Sequence, residues 1–172
     1  NSMIVKAVRK LQFKTHTINF HESGLAARMF TPILGNASQR LTLTGSGSLL
    51  KRPMHLFDQS LPAVTHLFQS TGGFLPFSIQ GPLVPTDIVL DGSLSSQFIT
   101  GFIYAFAGSP ALQKATIMIE HPNSIPYIEL SLDVLKSFGI GLTMIDNTIE
   151  IAGPRTWKNT EITVEGDWSS AS

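Results

Sequence analysis

Three pairs of short segments recur in this chain at almost one spacing, and that spacing limits the folds open to it. Asp91-Gly92-Ser93-Leu94-Ser95-Ser96 has a near copy at Glu165-Gly166-Asp167-Trp168-Ser169-Ser170, 74 positions on. Arg52-Pro53 precedes one helical pattern and Ile125-Pro126 another, 73 apart. A strand pair ends in glycine at Gly81 and again at Gly153, 72 apart. Chance likeness among short Ser/Gly strings would not keep a common period. The chain therefore reads as a duplicated unit of about 70 residues, each unit ordered strand, helix, strand, helix, strand, strand.

Residue patterning fills in the units. Residues 2–11 form an amphipathic helix with Ile4, Val8 and Leu11 on one stripe. Strands are expected at 15–20, 40–44, 65–69, 75–80, 88–90, 116–120 and 162–164. A hairpin, 142–145 with 148–152, turns at Asp146-Asn147. Helices are expected at 23–34, where Pro32 bends or ends the helix, at 95–107 and at 126–138. A further helix opens with Pro53 as its first residue and stops at Pro62, after a flexible loop Gly45-Ser46-Gly47-Ser48. The segment Gln97 to Ala107 is apolar on nearly every face, so it is enclosed by protein. Thr148-Ile149-Glu150-Ile151 and Thr15 to Phe20 alternate, so one face of each sheet meets solvent. The expected fold is α/β with helices buried inside and sheets outside, the reverse of a doubly wound arrangement. The opening helix has no strand before it, and Trp168 to Ser172 begin a helix start and stop, so the chain reads as a piece of a longer protein.

Composition removes several classes of function. Hydrophobic residues make up 42% and charged residues 14%, which suits a packed domain and not a disordered segment. Formal net charge is zero, which argues against a nucleic-acid binder relying on a basic surface, and any anion site has to be built locally. Without cysteine there are no disulfides, thiolate zinc sites or cysteine nucleophile. No apolar stretch reaches the roughly 20 residues of a membrane span. The opening residues lack a signal peptide, which makes the cytoplasm the default location. The five histidines show no ligand spacing, so no metal site or His/Ser/Asp triad is expected.

The run from Asp91 to Phe98 carries the most chemistry. It sets two hydroxyls and an amide, on Ser95, Ser96 and Gln97, between an apolar strand and an apolar helix. A helix start offers free N–H groups and partial positive charge to an anion. Taken alone, such a serine pair is an N-cap with solvent-facing neighbours. Arg52, placed by Pro53 at the start of a helix, is a cation at the positive end of a dipole, a conflict that an anion would relieve. Taken alone, it is a solvent-facing charge. Asp146 and Asp167 read as turn and cap residues, and Ser169 and Ser170 as caps of the next helix.

Four motifs together resemble one family: Leu50-Lys51-Arg52-Pro53, Asp91 through Phe98, Ser124-Ile125-Pro126-Tyr127-Ile128, and Val164 through Ser172. The chain resembles the enolpyruvyl transferases, on the branch that acts on shikimate 3-phosphate. The Ser-Ser-Gln and Ser-x-Pro-Tyr pair separates that branch from the sister transferase acting on UDP-N-acetylglucosamine. The resemblance implies two similar lobes, each of three βαβαββ units. This chain would supply most of one: 1–20 an incomplete first unit, 21–91 a second, 92–165 a third, and 166–172 the start of a truncated helix, with the second lobe absent. It also implies transfer of the enolpyruvyl group of phosphoenolpyruvate to the 5-hydroxyl of shikimate 3-phosphate, without metal or organic cofactor.

Carried over motif by motif, the resemblance puts Ser95, Ser96 and Ser124 on the phosphate of shikimate 3-phosphate and has Tyr127 line the shikimate site. Gln97 lies between the two substrates. Arg52 pairs with phosphoenolpyruvate, and Gly24 lets backbone approach it closely. Arg28 matches a family arginine whose role is left open. No catalytic acid or base falls within these residues, so the fragment alone is expected to be inactive and to carry mainly the shikimate 3-phosphate half-site. The family has Asn-Ala-Gly-Thr where this chain has Glu22-Ser23-Gly24-Leu25, and commonly a lysine at Ile125. A carboxylate at Glu22 is unfavourable beside an anionic ligand unless it points away or meets a cation. These departures keep a second reading open, a non-catalytic module of the same fold that binds a phosphorylated metabolite or a partner protein.

Overall fold

A computed structural model describes residues 13–111, 113–152, 156–158 and 161. The expected helix over 2–11, the strand over 162–164, Gly153 and the motif copy at 165–170 lie outside the described residues. In chain order the elements are β1 Thr17–Asn19, α1 Gly24–Leu34, β2 Leu41–Thr44, a 3-10 turn Gly47–Lys51, α2 Leu56–Val64, β3 Leu67–Thr71 and β4 Phe74–Gln80. The second series is β5 Ile88–Asp91, α3 Ser96–Ala107, β6 Ala115–Glu120, α4 Ile125–Ser137, β7 Leu142–Ile145 and β8 Thr148–Ile151.

The two series build the same object twice. One sheet has the order β1-β2-β4-β3 and the other β5-β6-β8-β7. In each, the first two strands are parallel, with Thr17 opposite Thr42 and Ile88 opposite Ile117, and the remaining pairs are antiparallel. Ile88–Asp91, where the repeat period had closed one unit, hydrogen-bonds into the second sheet.

Helices α1 and α3 occupy equivalent places and pack side by side. Arg28 meets Gln97 near their starts, and Asn36 donates to the Ala105 carbonyl beyond the end of α1; both contacts join residues 69 apart. Equal separations at the two ends mean that the helices run in the same direction, in register. Two residues permit the close approach. A Cβ on Gly101 would sit 2.8 Å from the Met29 carbonyl oxygen and 2.9 Å from that of Arg28. Pro32 continues α1 to Leu34, and its missing N–H leaves the Arg28 carbonyl without its usual helical partner, free to face Gly101.

The core lies between these helices and the inner faces of both sheets. Phe98, Ile99, Phe102, Ile103 and Phe106 of α3 are fully buried, as the all-apolar pattern required. Phe57 of α2 ties the layers together, edge-on to Phe77 of β4 at 5.9 Å and to Phe98 at 5.0 Å. Strands alternate as expected: Leu41, Leu43, Ile149 and Ile151 point inward, while Thr42 and Glu150 face out.

Local expectations failed around α2. It begins at Leu56, three residues after Pro53, because the Met54 N–H is bonded to the Gly73 carbonyl at 2.8 Å and the segment before it is extended. Pro62 lies inside this helix and does not end it. It sits on the exposed face, where the carbonyl of Asp58, deprived of its partner, is open to water. The segment Gly45–Ser48 is not a free loop: Ser46 N–H bonds the His21 carbonyl at 2.8 Å, and a 3-10 turn follows.

Candidate anion-binding site

Parallel pairing sends β1, β2, β5 and β6 toward the same end of the lobe, so the turns that follow them meet there. The turns are stitched in pairs. Phe20 N–H bonds the Thr44 carbonyl at 2.9 Å, and Gly92 N–H bonds the Glu120 carbonyl at 2.8 Å. His121 Nδ1 lies 3.3 Å from Asp91 Oδ1. The shared α1–α3 seam joins one pair of turns to the other.

Four residues gather at that seam. Arg52 reaches across to Gly24, where a Cβ would lie 2.7 Å from Arg52 Nη1; glycine makes room for the guanidinium. Gly24 opens α1, with Ser23 as its N-cap accepting the Ala26 N–H at 3.1 Å. One turn on, Arg28 donates from Nη1 to Gln97 Oε1 at 3.2 Å, with its guanidinium carbon 5.3 Å from the centroid of the Phe98 ring. Burial and then the neighbouring Arg52 charge pull the Arg28 guanidinium below its ordinary value. Neither arginine has an acidic partner among the described residues, whose ion pairs are Asp91 with His121 and Asp133 with Lys136. Two like charges without a counter-ion among the described residues are chemically suited to a multiply charged anion.

Arg52 meets the positive end of a helix in a different way than its sequence position suggested. It does not start a helix; it ends the 3-10 turn in extended backbone. Its guanidinium instead reaches the start of α1 at Gly24, beside the Arg28 charge.

The hydroxyls flank this cluster. Ser95 caps α3, its Oγ accepting the Gln97 N–H at 3.2 Å, and its own proton remains available to an acceptor. Ser96, the first helical residue, is buried, and Gln97 is half-buried. Ser124 precedes α4 in the left-handed region, φ 55°, and makes no capping bond; its Oγ donates to Asn123 Oδ1 at 3.2 Å. Ser124 and Tyr127 make no hydrogen bond to Gly24, Arg28, Arg52 or Gln97 among the described residues, and Tyr127 is 68% exposed.

The three departures are accommodated. Glu22 turns to the 3-10 segment, where its carboxylate accepts from Ser48 N–H at 3.4 Å and Ser48 Oγ at 3.5 Å. Gly47, at φ +54°, leaves space for it: a Cβ there would be 2.5 Å from Glu22 Cδ. Leu25 is exposed, and Ile125 packs against the core. Arg28 is the residue whose role the sequence left open, although its place one turn after Gly24 already put both on one face of α1. Among the described residues no group of three or more His, Asp or Glu converges for a metal, and no helix is long and apolar enough to cross a membrane.

An enclosed helix α3, outer sheets of βαβαββ connectivity and a cationic, hydroxyl-rich end define a lobe of the enolpyruvyl transferase class. Within that class the chain belongs to the EPSP synthase (3-phosphoshikimate 1-carboxyvinyltransferase) family, whose sequence profile matches residues 1–172. It is 28% identical to the 3-phosphoshikimate 1-carboxyvinyltransferase of Clostridium kluyveri, over 98% of this chain and 40% of that protein. Identity to the enzyme of that name from Methanosphaerula palustris is 32%, over 90% of this chain and 37% of the other. The solved EPSP synthase of Acinetobacter baumannii superposes with a TM-score of 0.74 at 26% identity, covering 90% of this chain and 34% of that one. The chain thus spans about 40% of the length of the curated relatives it matches.

Proposed function

We propose that the full-length protein carrying this chain transfers the enolpyruvyl group of phosphoenolpyruvate to the 5-hydroxyl of shikimate 3-phosphate, releasing phosphate. It would act in the cytoplasm, in the shikimate route to aromatic amino acids. One observation carries the reading: Arg28 and Arg52 converge on Gly24 and Gln97 with no carboxylate paired to either among the described residues. Both substrates are polyanions, and such a cluster is preorganised for them.

In this reading Arg52 and the Gly24 backbone take phosphoenolpyruvate, Gln97 lies between the two substrates, and Ser95, Ser96 and Ser124 hold the phosphate of shikimate 3-phosphate. Ser124, free of capping duty, and the exposed Tyr127 have surface to offer a ligand. The chain is most of one lobe and carries mainly the shikimate 3-phosphate half-site; the remaining cations and the proton-transfer groups belong to a second lobe.

Phosphate release by the full-length protein is the test. Release that depends on both substrates is expected. Binding of shikimate 3-phosphate without release would instead establish a non-catalytic metabolite-binding module, and affinity for UDP-N-acetylglucosamine would point to the sister reaction. Ser95→Ala is expected to weaken shikimate 3-phosphate binding measured by calorimetry; equal affinity would remove Ser95 from the phosphate site.

A further inference from the structure

We infer that Arg28 is a positioning residue that holds the Gln97 carboxamide in one orientation, its oxygen taken and its N–H groups presented to the ligand. The chemistry of the contact fixes the direction. A guanidinium has five N–H donors and no acceptor, so the amide atom 3.2 Å from Arg28 Nη1 has to be the Gln97 oxygen. The amide is planar, which turns Nε2 to the opposite side, and Nε2 has no acceptor among the described residues. A flipped amide would set N–H against N–H. The main chain of Gln97 is fixed as well, through its N–H on Ser95 Oγ at 3.2 Å. Gln97 is thus pinned at its backbone and at its oxygen, and what remains is a pair of donors suited to an anionic oxygen.

Arg28 is itself immobilised for this task. It lies in the seam between α1 and α3, over the Phe98 ring at 5.3 Å, with Nε enclosed and unpartnered. With no counter-ion among the described residues, holding a second guanidinium beside Arg52 works against stability, so packing alone does not account for it. The identity of the anion rests on the proposed function; the clamp on Gln97 does not.

Two measurements on the full-length protein separate these claims. The first uses selective ¹⁵N-glutamine labelling and follows the side-chain amide protons of Gln97. In the wild-type protein they are expected as a resolved pair shifted from the positions of a free glutamine, and in Arg28→Met as a pair collapsed onto them. A free-glutamine signature in the wild-type protein overturns the clamp without any variant. So does an unmoved pair in Arg28→Met.

The second measurement is a double-mutant cycle on the Michaelis constant for phosphoenolpyruvate. Arg28→Met and Gln97→Ala are each expected to raise it about tenfold, as loss of a charge-assisted contact or of the donor it orients would. The double variant is expected to fall well short of the product of the two effects, because Arg28 acts in part through Gln97. Fully multiplying effects would mean that the two residues act independently and overturn the inference. A wild-type protein without turnover would count against the transferase reading only, since the amide signal still decides the clamp.

Discussion

At the scale of single residues, two carboxylates near the cationic end, Asp91 and Glu22, are engaged by local donors. Asp91 accepts the Ser93 N–H at 2.9 Å and faces His121; the Ser93 bonds, ahead of His121, hold its carboxyl below the ordinary range. Glu22 rests on Ser48 and the Gly47 backbone. The acidic substitution at position 22 is therefore expected to be silent for ligand binding: Glu22→Gln should leave the Michaelis constant for phosphoenolpyruvate within about twofold, since the charge it removes is already held by local donors. A much tighter value would mean that the carboxylate competes for the arginines. Arg52 is the opposite case. Its guanidinium is exposed and lacks an acidic partner, so Arg52→Ala should raise the same constant by roughly 1.5–3 kcal/mol of lost charge-assisted contact, between one and two orders of magnitude. Steady-state kinetics on both variants would read the contrast directly, and an unchanged constant in Arg52→Ala would take Arg52 out of the site.

At the scale of elements, the α1–α3 seam is the structural hinge of the site, because it alone brings Arg28 to Gln97. Gly101 sets the distance. Alanine there would gain about 1 kcal/mol of helix propensity. Its Cβ would, however, meet two backbone carbonyls of α1 at under 3 Å, and backbone cannot swing aside as a side chain can. Overpacking of that kind costs roughly 1–3 kcal/mol, so Gly101→Ala should lower the thermal midpoint; a higher midpoint would show slack between the helices. The sequence revealed α3 clearly, since a helix apolar all round has nowhere to go but inside; of the repeat's anchors, the described pair is Arg52-Pro53 before α2 and Ile125-Pro126 at the start of α4. It misplaced the start of α2 and the role of Pro62, because both depend on contacts no local rule contains: Met54 bonded to the distant Gly73, and Asp58 with water on its side of the helix. The Arg28–Gln97 contact was hidden for the same reason. It spans 69 residues and exists only because two equivalent helices lie in register.

At the scale of the whole molecule, duplication explains why the functional residues share one end. Two copies of one connectivity, packed with their first helices parallel, place every strand-to-helix turn at the same end, so Gly24, Arg52, Ser95 and Ser124 each follow a parallel strand. Charge then limits what this lobe does alone. The chain is neutral overall, and the two arginines that meet at that end among the described residues already repel each other. A transition state joining two phosphorylated anions needs cations on the facing side as well, and a donor and acceptor for the moving protons. Glu22 and Asp91 are held by local donors and so are poorly placed to serve as those groups. Residues 1–172 expressed alone are therefore expected to release no phosphate from phosphoenolpyruvate and shikimate 3-phosphate above the uncatalysed background, while the full-length protein does so under the same conditions. Turnover by the isolated chain would mean that the acid and base lie within these residues after all, and His121 with its Asp91 partner, beside the Ser95 and Ser124 turns, would be the pair to mutate first.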